Sequence, residues 1–161
     1  MSAFATHFSF EFRTGIRNKT LLLMNYLFPL GLYLMMGFFM PAINPLFLET
    51  MIPAMVVFAI LAATMLGLPD PLVNARETGI FRSYKINGVP ASSILSIPAL
   101  TTMLHLVVVT LIITATAPLL FSAPVPQNWA GYVLVFVATA IACSGLGVLI
   151  GVISSSTRMT V

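Results

Sequence analysis

The chain has 161 residues, 59% of them hydrophobic and 7% charged, with a mean hydropathy of +1.05 and a formal net charge of +3. Soluble domains carry roughly a quarter charged residues to cover a water-facing surface, so an ordinary soluble domain is excluded. The seven Lys and Arg residues are too few and too scattered for a nucleic-acid surface; the main solvent of this chain is a bilayer.

The first 19 residues are ambiguous in periodicity. Phe8, Phe10 and Phe12 alternate with polar residues as in a half-buried strand, while Phe4, Phe8 and Phe12 repeat at helical spacing. A lone strand at a membrane surface leaves its backbone unpaired, whereas a helix satisfies it internally. The expectation is an amphipathic interfacial helix over residues 1–19, aromatics towards lipid and Arg13, Arg17 and Lys19 towards headgroups.

Four apolar segments follow, each long enough to cross roughly 30 Å of hydrocarbon. They place spans at 20–41, 51–73, 92–121 and 130–154. None alternates as a transmembrane β-strand does. The fold class expected is an all-α membrane protein, a polytopic bundle of four transmembrane helices.

The connections orient it. Pro41–Thr50 carries only Glu49, and Ser122–Ala130 carries no charge. With alternating spans, all seven basic residues (Arg158 included) fall on one side. The positive-inside tendency makes that side cytoplasmic, with both termini there. Trp129 and Tyr132 sit where an aromatic belt anchors the opposite interface.

Residues 74–90 concentrate charge between two nearly neutral runs. Pro69 and Pro71 can end or kink the second span. Asn74 and Glu77 read as a capping box, with Thr78 as a second possible cap. Ile80, Phe81 and Tyr84 then share one helical face, Arg82 and Lys85 occupy another, and Gly88 and Pro90 stop the helix. One reading is a basic topology signal on an interfacial helix; the other is an element that docks into a partner.

The order of these features resembles the permease subunit of ABC-2 type ATP-binding cassette exporters. The residues that carry the resemblance are "RNKTLLLMNYLFPL" at 17–30, Arg76-Glu77-x-Gly79, and "GVPASSIL" at 88–95. It implies that Arg76, Glu77, Gly79, Ile80, Phe81, Arg82, Tyr84 and Lys85 form a coupling segment held by a nucleotide-binding ATPase subunit. That subunit would carry ATP and magnesium, and a second permease copy or homologue would complete the dimer. Family permeases usually have six spans. The expectation is therefore a chain truncated after the fourth span, or one completed by a polypeptide supplying the last two.

The remaining chemistry is sparse. No GxxxxGK[ST] phosphate loop is present, and no His, Cys or carboxylate cluster has metal-ligand spacing, so no catalytic, cofactor or metal residue is assigned. ATP hydrolysis is expected on a separate subunit. Cys143 suits a buried small side chain. His105, an ionisable residue within the third span, is a candidate functional group; the blander alternative is a neutral imidazole bonded to Thr101 or a carbonyl. Thr110, Thr114 and Thr116 can bond back to their own helix. Gly147, Gly151 and Ser155 form a small-residue stripe for close helix packing, within the chain or at a dimer seam. A non-transporting four-span scaffold or assembly protein is the alternative from another class.

Overall fold

The computed structural model describes residues 8, 9, 12, 13, 17–86, 88 and 90–154. Among them there is helix, turn and no strand. Four helices are long and apolar enough to cross a membrane: α1 (Lys19–Ile43), α2 (Phe47–Glu77), α4 (Ala91–Phe121) and α5 (Trp129–Ile153). A short helix, α3 (Ile80–Ile86), joins α2 to α4. The chain is a multi-pass membrane protein of the expected all-α class. Of the expected N-terminal helix over 1–19, residues 8, 9, 12, 13 and 17 are described and helical, while Asn18 is a non-helical cap and Lys19 already begins α1; the rest of that expectation lies outside the described residues.

Helix ends follow from local chemistry. Asn18 caps α1, its Oδ1 accepting from the Thr20 N–H at 3.0 Å and the Leu21 N–H at 3.4 Å. Asn128 caps α5 in the same way, accepting from the Gly131 N–H at 2.9 Å. At the far end of α4, Ser122 takes a left-handed conformation (φ 57°) and its N–H closes onto the Pro118 carbonyl.

Both of the first two spans contain a π turn, at Leu23–Leu27 in α1 and Ala62–Gly67 in α2. Each ends two residues before a proline. Pro29 lacks an N–H for the carbonyl of Asn25, and in an unwidened helix its ring would press against that oxygen; Pro69 and Pro71 would do the same to Met65 and Gly67. Widening the turn by one residue lets the helix pass the obstruction without breaking. The second span thus continues through both prolines as far as Glu77.

Contacts define an up-down-up-down bundle. The Tyr26 hydroxyl meets Nδ1 of His105 at 2.6 Å, and the Tyr33 hydroxyl meets Oγ1 of Thr116 at 2.9 Å, so α1 and α4 run parallel. Thr114 and Tyr132 are joined at 3.1 Å between α4 and α5. One end of the bundle therefore gathers Arg17, Lys19, Arg76 and Arg82; this is called the basic end below. The second span is the central element: 61% of its most apolar window is buried, against 17% for α5, which is open to lipid along most of its length. The core packs Tyr33 against Met51, Ile52, Val56, Val109 and Ile113. Gly37 lets Phe121 approach α1 so closely that a Cβ there would lie 2.4 Å from the ring.

Candidate functional site

At the basic end the segment between the second and third spans is built differently from its sequence pattern. Asn74 and Glu77 do not start a helix. They lie in the last turns of α2, Glu77 being its final residue, and Thr78 is the C-cap. The Thr78 N–H bonds to the Asn74 carbonyl at 2.9 Å and its hydroxyl donates to the same oxygen at 2.8 Å. The capping box expected here is thus a helix stop, because the π turn carries α2 beyond Pro71. Gly79 follows with a φ of +75°, its N–H reaching the Arg76 carbonyl at 3.1 Å. A residue with a Cβ is disfavoured in that left-handed conformation, and glycine is the usual solution just past a helix.

After this turn, α3 presents Ile80 and Ile86 to the outside, 41% and 76% exposed, with Phe81 and Tyr84 half-buried and Arg82 exposed. Lys85 falls in the same helix. Ile80, Phe81 and Tyr84 are therefore close in space, on a short helix that packs on the end of α2 and the start of α4.

Arg76 points elsewhere. Its guanidinium donates to the Val152 carbonyl at 2.8 Å and to the Ser154 carbonyl, at the C-terminus of α5. A cation there satisfies carbonyls with no partner in their own helix and faces the negative end of the helix dipole. The end of α2 is by this contact fastened to the fourth span. Nothing in the sequence pairs positions 76 and 152, which lie 76 residues apart.

The small-residue stripe on α5 packs within the chain. Ala140, Ser144, Gly147 and Gly151 are its buried residues. A Cβ on Gly147 would fall 2.1 Å from the Thr64 carbonyl oxygen, and one on Gly151 would meet Leu72 and Pro69 at 3.0 to 3.2 Å. Gly147 and Gly151 thus seat α5 on the π turn of α2 and on the turn that follows. Ser155 lies outside the described residues.

His105 sits in the half of α4 nearer the basic end, 4% exposed. Its Nδ1 is bonded to Tyr26, whose ring meets it edge-on, and Phe12 stacks on its face with centroids 5.3 Å apart. Thr101 does not supply the expected bond; its Oγ1 is buried with no partner among the described residues. Nor do all three threonines bond back to their helix. Thr116 does, to the Ile112 carbonyl at 2.7 Å, while Thr114 turns to Tyr132 and Thr110 Oγ1 has no partner among the described residues.

Asn25 belongs to this polar cluster and was not singled out from the sequence. It lies in the π turn of α1, 6% exposed, with Oδ1 unpartnered among the described residues and pressed towards Gly67 in the π turn of α2. An amide inside an apolar span is a legible signal by the same rule that flags His105. The cluster can bind and orient small polar groups. Among the described residues no three His, Cys, Asp or Glu residues come together to hold a metal ion.

No curated protein and no solved structure matches the chain. A family model does, the ABC-2 type transporter, over residues 2–161. With four membrane-spanning helices and a match across nearly the whole sequence, the chain belongs to the ABC-2 type transporter family.

Proposed function

We propose that this permease works in an exporter driven by ATP hydrolysis on a separate nucleotide-binding subunit, which carries ATP and magnesium. The basic end faces the cytoplasm of a cell membrane, and a second permease copy or homologue completes the pathway. The observation that carries the reading is the segment at 76–86. An exposed short helix bearing Ile80, Phe81 and Tyr84 hangs from a glycine turn, while Arg76 beside it grips the end of α5. Motion imposed on α3 by a docked ATPase reaches α2 through the Gly79 turn and α5 through Arg76. Export of a drug, a lipid-like molecule or another small amphipathic compound suits the apolar character of the spans.

The test is co-purification of a nucleotide-binding subunit with the wild-type chain and with Phe81→Ala and Tyr84→Ala, at matched membrane abundance. Loss of the ATPase from both variants supports the reading. Equal recovery from all three, with ATP-dependent efflux unchanged, leaves residues 76–86 as a topology signal and removes the coupling role.

A further inference from the structure

Between the two π turns lies a pocket of about 30 Å³ lined by both apolar and polar residues. Leu21, Pro71 and Pro98 are among the first, and Asn25, Thr101, Thr102 and His105 make up the second. The four polar residues are each between 4% and 7% exposed. Two of their oxygens, Asn25 Oδ1 and Thr101 Oγ1, are buried with no partner among the described residues.

A buried polar oxygen without a partner in a hydrocarbon setting is costly, and structures normally resolve it with a neighbouring donor or with ordered water. A cavity needs roughly 10 to 15 Å³ of such volume, and two to four polar partners, to hold one water. This one exceeds that size and supplies the partners. Among its described lining residues none bears a formal charge apart from any proton on His105, which suits a neutral guest. Its size excludes a drug-sized molecule.

We propose that the pocket is an internal water site, in which bound water donates to Asn25 Oδ1, engages the Thr101 hydroxyl and joins the Tyr26–His105 pair into one network. The network joins α1 to α4 against a wall that Gly67 and Leu68 of α2 provide, at the level where both α1 and α2 are widened by π turns. A layer of exchangeable hydrogen bonds there gives the first three spans a wet seam on which they can shift without stripping a polar group bare. The core around Met51 and Ile52 is apolar among the described residues apart from the Tyr33 hydroxyl, which Thr116 already satisfies.

Hydroxyl-radical footprinting of the intact chain in lipid nanodiscs tests this, because radicals generated from water label side chains next to it even when they are buried. Met51 is 0% exposed, in that apolar core, and serves as the internal reference. After correction for intrinsic side-chain reactivity, His105 is expected to label at least about fivefold more than Met51. Asn25→Leu, which removes the acceptor and fills the space, should bring it to the Met51 level, while Asn25→Ser should retain labelling. If Asn25→Leu does not accumulate, Thr101→Val serves in its place, with protection of Met51 reporting an intact fold. Labelling of His105 no greater than Met51 in the wild type overturns the proposal, and so does labelling unaffected by Asn25→Leu or Thr101→Val. The readout needs neither an ATPase nor a transported substrate, so it stands apart from the exporter reading.

Discussion

Gly147 of the fourth span stands directly against the carbonyl oxygen of Thr64 in the second, with room for no side chain between them. The obstacle to a larger residue is backbone, so it cannot swing aside as a flexible side chain would. Gly147→Ala must push α5 off α2, and overpacking of this kind costs about 1 to 3 kcal/mol. A lower unfolding temperature of the purified protein in lipid or detergent is the expected result. Gly151→Ala should do less, since its contacts begin at 3.0 Å, and Gly145→Ala, with nothing within 4 Å, should be neutral or slightly stabilising. Equal unfolding temperatures for all three variants would show that α5 does not depend on this contact.

The clamp at Arg76 gives a second expectation. Arg76→Ala removes both donors from the end of α5, and a cation at a helix C-terminus is worth about 0.3 to 1 kcal/mol. Amide hydrogen exchange around 150–154 should quicken while exchange in the middle of α5 is unchanged. Arg76→Lys keeps the charge but not the two-pronged donor, and should recover only part of the protection. Unchanged exchange in Arg76→Ala would mean that the carbonyls of Val152 and Ser154 find other partners.

How much of this was readable in the sequence depended on the range of the interaction. Hydrophobic runs and charge placement are local, and they predicted four helices in an all-α bundle. The segment at 74–78 misled because Asn74, Glu77 and Thr78 have the composition of a helix start. Only the π turn upstream, which lets α2 run on past Pro71, turns them into an ending. His105 stood out as an ionisable residue in a span, but its partner Tyr26 is 79 positions away and no periodicity relates the two. Asn25 was legible as a lone amide among apolar residues. Its importance comes from Gly67 across the helix interface, which is a tertiary fact.

Docking at α3 should depend on its apolar face more than on its charge. Aromatic residues buried in a partner's pocket are typical anchors, and truncating one commonly costs about 2 kcal/mol or more. Phe81→Ala or Tyr84→Ala is expected to lower ATPase co-purification by about 30-fold or more, with the chain still inserted. Arg82→Ala, whose side chain is exposed, should mainly slow association and add to its salt dependence. Titration of salt against bound ATPase separates the two behaviours; a larger loss from Arg82→Ala than from Phe81→Ala would reverse the assignment.

Orientation is open to direct measurement. With Cys143, the sole cysteine, replaced by serine, single cysteines at Glu49 and Gln127 should react with a membrane-impermeant thiol reagent applied from outside intact cells. Cysteines at Asn18 and Ser83, at the basic end, should react only after permeabilisation. The reverse pattern would place the basic end outside and leave α3 out of reach of any cytoplasmic ATPase.

The π turns also fix the angular phase of everything beyond them. Each successive α-helical residue advances by about 100° around the axis and 1.5 Å along it. Tightening Ala62–Gly67 into ordinary helix with every residue kept would rotate the remainder of α2 by about that angle. Leu72 and Pro69 would turn from beneath Gly151, and Arg76 would swing away from the end of α5. The widened turn thus acts as a phase setter. It points α2's last helical turns, and the α3 helix they carry, towards the fourth span, and that bearing is lost if the turn tightens, even when every side chain is kept.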